Sequence, residues 1–143
     1  MTKKTYMLDT NICSFLIRSK PDYLLDTLQH TAQSGHQVVI SAITYAELTF
    51  GAASKKASPK MPSIVAGFVA RLDTVLAWDK KAVECSTTVK TELESCGTPI
   101  SHNDTLIAGH AIAEKSILVT DNIREFSRVN GLLYENWVIR EEQ

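Results

Sequence analysis

The apolar run Tyr6-Met7-Leu8 stops on Asp9-Thr10-Asn11, and this junction constrains the chain more than any other stretch. A short apolar run bounded by polar residues reads as a buried strand. Open α/β sheets gather their ligands beyond the carboxyl ends of strands, which is where Asp9 falls. A carboxylate placed there needs a counter-charge or a metal, because an unpaired buried charge is costly. Further apolar runs at 37–40, 74–77 and 117–120 read as strands, with a weak last one near Leu133-Tyr134. Helical periodicity fills the intervals. Strands alternating with helices predict an α/β fold with a mainly parallel sheet covered on both faces.

The helices are expected at 12–19, after Pro21-Asp22 as far as Gly35, at 42–52 behind Ser41 as its cap, and at 63–73, 79–96 and 101–115. In the 42–52 helix Ile43, Ala46 and Phe50 share one face, and Glu47 projects from that same face. A solvated Glu belongs opposite the apolar stripe, so this one is read as facing inward. In 63–73 the aligned residues are Ile64, Phe68 and Leu72; in 79–96 they are Ala82, Ser86, Val89, Leu93 and Cys96. Asp104 falls in the first turn of the 101–115 helix, with Ile107, Ala108, Ala111 and Ile112 around it on the wheel, so it too is read as inward. The stretch 53–62 is a polar loop.

With 143 residues and no internal repeat or long linker, the expectation is one domain over 1–143. No run nears the roughly 20 apolar residues of a membrane span, and Met1-Thr2-Lys3-Lys4 is no signal peptide, so a cytoplasmic protein with no membrane contact is expected. Three cysteines without C-x-x-C spacing argue against a disulfide framework and a zinc site, and the four histidines have no ligand spacing and read mostly as surface residues. A net charge of -1 gives no general attraction to nucleic acid. Any RNA substrate therefore depends on local cations, for which Lys55, Lys56 and Lys60 are the candidates.

Four acids, Asp9, Glu47, Asp104 and Asp121, fall at strand ends or on inward faces. Converging carboxylates repel one another, and a hard cation relieves this without protonating them; oxygen-rich sites of that kind suit Mg²⁺ or Mn²⁺. Each acid also has a plainer reading. Asp9 could cap the first helix, Ser101 and Asp104 form a capping-box pattern, Glu47 could pair with a buried cation, and Asp121 could be a turn residue. The lysine cluster is equally compatible with a solvated loop.

Taken in order, Tyr6-Met7-Leu8-Asp9-Thr10-Asn11, Ser41-Ala42-Ile43-Thr44-Tyr45-Ala46-Glu47-Leu48, Asn103-Asp104-Thr105-Leu106-Ile107-Ala108 and Leu118-Val119-Thr120-Asp121-Asn122 with Glu125-Phe126 resemble the PIN-domain ribonucleases, and among them the VapC toxins of bacterial toxin–antitoxin pairs. The likeness extends to Val129-Asn130-Gly131-Leu132 and Trp137. It implies an α/β/α sandwich and an Mg²⁺-dependent endoribonuclease, Mn²⁺ substituting, with initiator tRNA as a substrate. It places metal-binding acids at Asp9, Glu47 and Asp104, with Asn11 and Thr120 in support. The fourth position stays open between Asp121 and Asn122. The resemblance also implies a homodimer neutralised by a VapB-like antitoxin. The main rival is a PIN-like module that binds RNA or protein without cutting. A receiver-type phosphoacceptor is disfavoured, since it needs paired acids where this chain has Thr10-Asn11.

Overall fold

The computed structural model describes residues 2–139. Its elements, in chain order, are β1 (Thr5–Leu8), α1 (Thr10–Arg18), α2 (Tyr23–Gln33), β2 (Gln37–Ser41), α3 (Ala42–Ala52), α4 (Met61–Ala70), β3 (Thr74–Leu76), α5 (Lys80–Ser95), α6 (His102–Ala113), β4 (Ile117–Val119), α7 (Ile123–Phe126) and β5 (Tyr134–Glu135). The strands form one sheet in the order β3-β2-β1-β4-β5, and every pairing is parallel. Tyr6 lies between Val38 and Ile117, and Met7 between Val39 and Leu118.

Side chains alternate across a strand, so the central apolar runs feed two cores. Tyr6, Leu8, Val38, Ile40 and Val119 face one side, where Ile12, Leu16, Leu24, Leu48 and Val65 cover them. Met7, Val39 and Leu118 face the other, beneath Val89, Leu93, Ile107, Ala111 and Phe126. This is the expected α/β/α sandwich. Strand order reverses at β1, with β2 on one side and β4 on the other, so a crevice opens beyond the carboxyl ends of β1 and β4. Among the described residues no helix is long and apolar enough to cross a membrane.

Several expected faces turn out otherwise. The buried residues of α3 are Thr44, Leu48 and Ala52, whereas Ala46 is exposed and Phe50 is 80% exposed. Ile43 packs against the second core, but Ala46 and Phe50 stay outside it, because α3 presents a neighbouring stripe to the sheet and to α1 and α4. Helix α4 starts at Met61, with Pro62 in its first turn, and stops at Ala70 rather than at residue 73. It buries Val65 and leaves Ile64 exposed. Asp73 lies beyond it and accepts the Val38 N–H at 2.7 Å, tying the entry of β3 to β2. Cys96 is exposed, since α5 ends at Ser95 and Gly97, at φ +69°, turns the chain away. His110 is fully buried instead of lying at the surface.

Candidate active site

The crevice is built first from Asp9, which follows β1 and caps α1. One carboxylate oxygen accepts the Ile12 N–H at 2.8 Å, and the other accepts the Thr120 hydroxyl at 2.5 Å. Thr120 follows β4, so this pair bridges the two strands at the reversal point. Asp9 thus caps α1 and at the same time faces the crevice. With only 3% of its surface exposed, its carboxyl is pushed up to about 7, mainly by burial and further by the charges of Asp121 and Asp104. The hydrogen bonds from Thr120 and Ile12 oppose the rise without cancelling it.

Glu47 reaches the same crevice from α3. Its cap Ser41 accepts the Ile43 N–H at 3.1 Å, which fixes where the helix begins and hence where Glu47 lies six residues on. The Thr10 hydroxyl donates to the Glu47 carboxylate at 2.7 Å. Asp104 arrives from the first turn of α6, where the Ser101 hydroxyl accepts its N–H at 3.4 Å. Burial raises the Asp104 pKa, the charges of Glu125 and Glu47 add to this, and the Ser101 contact counters it.

Asp9, Asn11, Glu47, Asp104 and Asn122 line one cleft of ≈ 210 Å³, with Thr10, Ser101 and Asn103 between them. Among the described residues no Lys or Arg forms an ion pair with Asp9, Glu47 or Asp104. Their repulsion is relieved only by protons or by a cation. Nor do three such side chains among the described residues close on a single point as a preformed cage does. The acids form a rim instead. Mg²⁺ suits a rim, because it keeps several waters and takes one or two carboxylates plus substrate phosphate rather than an all-protein cage.

The other candidates separate. Thr120 meets Asp9 directly, and its Oγ1 also accepts the Asn122 N–H at 3.0 Å. Asp121 is half-buried and acts on Asp9 through its charge, but does not line the cleft. Lys56 lines a neighbouring cleft of ≈ 350 Å³ that shares Thr10 and Glu47 with the acidic one; Lys55 and Lys60 are exposed and line neither. That second cleft also contains Arg18, which sequence reasoning passes over because a basic residue in a helix's last turn is ordinary.

Two further residues, Glu125 and His110, are not singled out as site candidates in the sequence. The charge of Glu125 adds to the rise of the Asp104 pKa, and no periodic pattern marks an acid on a four-residue helix. His110 places Nδ1 2.7 Å from the Ser41 hydroxyl, joining α6 to the start of α3, while its Nε2 has no hydrogen-bond partner among the described residues. Burial lowers its pKa against the opposing pull of Glu114 and Asp79. A lone histidine carries no spacing signal that reveals such a link.

Known proteins share this architecture. The PIN domain family pattern matches residues 6–132. Ribonuclease VapC2 of Rickettsia felis is 41% identical over 92% of this chain and 97% of its own length. The tRNA(fMet)-specific endonuclease VapC of Salmonella typhimurium is 37% identical over the same shares of each. Among solved structures, VapBC2 from Rickettsia felis bound to a promoter DNA fragment matches with a TM-score of 0.87 and 40% identity, over 94% of this chain and 99% of that one. DNA-bound VapBC from Salmonella typhimurium matches at 0.85 and 36%, over 96% and 100%.

Proposed function

This chain belongs to the PIN-domain family, within it to the VapC toxin ribonucleases, and we propose that Asp9, Glu47 and Asp104 make it a divalent-metal-dependent endoribonuclease. The observation that carries the proposal is the rim of three carboxylates, without a Lys or Arg ion pair among the described residues, at the reversal point between β1 and β4. Mg²⁺ is the proposed ion and Mn²⁺ its substitute, on the oxygen chemistry of that rim. When bound, such an ion activates water and screens charge on the scissile phosphate.

The chain's own residues set the frame for this. Thr120 and the Ile12 N–H hold both oxygens of Asp9, so its position is fixed before any ligand arrives. Thr10 orients Glu47, and Ser101 fixes the first turn that carries Asp104. Asn11 lines the mouth of the cleft and can hydrogen-bond a substrate phosphate or an ordered water. Lys56 and Arg18 lie one cleft away, where a strand threading past Glu47 meets two cations. An exposed single-stranded loop suits that path, because its backbone and bases are accessible together.

The proposed substrate is initiator tRNA, following the activity named for the Salmonella relative. The proposed partner is a VapB-like antitoxin, since the Rickettsia and Salmonella structural neighbours are toxin–antitoxin complexes. The protein is proposed to act as one domain, as a homodimer and in the cytoplasm, where tRNA is found.

The test is cleavage of total RNA by antitoxin-free protein with Mg²⁺, with EDTA, and with the variants Asp9→Asn and Asp104→Asn. Discrete Mg²⁺-dependent fragments that map to initiator tRNA and vanish in both variants are expected. Full activity in both variants overturns the site, and a folded wild type that never cuts favours a binding module.

A further inference from the structure

We propose that the cleft beside the acidic one holds an unpaired nucleobase next to the scissile phosphate, clamped by Arg18; this rests on the ribonuclease reading above. The cleft measures ≈ 350 Å³, within the range of about 300–1,000 Å³ usual for small-ligand sites. Helix α1 supplies Ile17 and Arg18, α3 supplies Leu48, the loop before α4 supplies Lys56, and α4 itself supplies Met61. Leu48 is buried and Ile17 and Met61 are half-buried, so the floor is apolar. Such a floor suits the flat face of a base taken out of its stack.

The mouth of the cleft decides for a nucleotide over a peptide side chain. Two cations stand there, and neither Arg18 nor Lys56 has an ion-pair partner among the described residues. Thr10 and Glu47 line both clefts, the Thr10 hydroxyl donating to Glu47 at 2.7 Å, so the pocket adjoins the proposed ion site. A phosphodiester brought to that ion carries its neighbouring nucleotide to this mouth. The nucleotide's phosphate then meets the cations, and its base meets the apolar floor.

Arg18 is held ready for such a base. Its Nε donates to the Ser14 carbonyl at 3.3 Å, and its guanidinium lies over the Phe15 ring, 5.4 Å from the centroid. One face of the planar group is thus covered, while the residue as a whole is exposed, which leaves the other face for stacking. Met61 is unbranched and adaptable, and no Asn or Gln lines the cleft to read a base edge bidentately. The pocket therefore selects an unpaired base over a paired one, rather than one base over another. A duplex cannot present that base without breaking a pair.

The experiment uses the full chain, free of antitoxin, with Mg²⁺ and an RNA stem-loop carrying the cleavage site mapped on total RNA. Abasic nucleotides, which keep the phosphate, replace the loop positions one at a time, and base exchanges at the same positions are compared. Wild type should lose about tenfold or more in kcat/KM for an abasic nucleotide at one position flanking the cut, and less for any base exchange there. Arg18→Ala should cut the intact loop about tenfold more slowly and show no further loss when that base is removed. Arg18→Lys, which keeps the charge but not the plane, should recover only part of the rate. Gly51→Leu should narrow the cleft without disturbing the fold, since a Cβ at Gly51 meets nothing within 4 Å, and should be equally insensitive to base removal. Melting in EDTA and Mn²⁺ affinity should match wild type in all three variants, which separates the pocket from the fold and from the ion site. A wild type that cuts every abasic loop as fast as the intact one, or an Arg18→Ala variant that keeps the full penalty for base removal, overturns the pocket and leaves the ribonuclease reading standing. If Arg18→Ala and Gly51→Leu alter only inhibition by the antitoxin, the cleft belongs to that partner and the proposal fails. A wild type that cuts no RNA removes the ribonuclease reading and the pocket with it.

Discussion

At the scale of single residues, Asp9 makes the protein's stability depend on both pH and cation. Its carboxyl titrates near 7 in the folded chain and near 3.8 when unfolded. Between those values the folded state holds a proton that the unfolded state has lost, so stability falls as pH rises across that window. Asp104 moves in the same direction. A tenfold difference in proton affinity between the folded and unfolded chain corresponds to about 1.4 kcal/mol, so the metal-free protein should lose a few kcal/mol between about pH 4 and pH 8. Thermal melts in EDTA across that range check this. Asp9→Asn keeps an oxygen for the Ile12 N–H and should flatten the profile while abolishing cleavage. Saturating Mg²⁺ should restore stability at neutral pH, because it stabilises the ionised carboxylates that bare burial disfavours. A pH-independent melt would show that Asp9 is not held in this environment.

At the scale of elements, the site depends on how closely α5 and α6 approach. Gly109 sits where a Cβ would fall 2.5 Å from the backbone N and Cα of Ser86, and the Ser86 hydroxyl donates to the Leu106 carbonyl at 3.3 Å. Backbone cannot yield as a flexible side chain can. Gly109→Ala should therefore cost about 1–3 kcal/mol by overpacking, read as a lower denaturant midpoint. It should also lower cleavage, since α6 carries Asp104. Much of this architecture is legible in the sequence. Ser41 as a cap places α3 to the residue, and the spacing of Ala82, Ser86, Val89 and Leu93 finds the packed face of α5. What is not legible is identity of contact. Periodicity detects an apolar stripe but not the body it packs against, so the Phe50 stripe reads as core until the fold shows it uncovered. His110 escapes because its role arises from α6 meeting the start of α3, not from any local pattern.

At the scale of the whole molecule, the Phe50 stripe becomes informative because the folded chain leaves it uncovered. Phe50 is 80% exposed, Tyr45 41% and Ile64 43%, on neighbouring helices α3 and α4. Phe50 lies on the face of α3 toward Asn103 and Tyr45 on the face toward α4, and an exposed aromatic of the size of Phe50 suits contact with a partner. The homodimer proposed for this toxin supplies an occupant, a second copy meeting the first through α3. Phe50 also lines a cleft with Ile43, Ala46, Glu47 and Asn103 that joins the acidic one through Glu47 and Asn103. A second copy seated there would wall one side of the RNA entrance. Phe50→Glu places a charge at the centre of that contact, while its exposure leaves the chain's own core untouched. Light scattering on antitoxin-free protein should give a dimer for wild type and a monomer for Phe50→Glu, with melting behaviour nearly unchanged when extrapolated to low concentration. Cleavage should fall with dimerisation if the wall guides the strand. A variant that stays dimeric but no longer binds the antitoxin would assign the α3 face to that partner and move the dimer contact elsewhere.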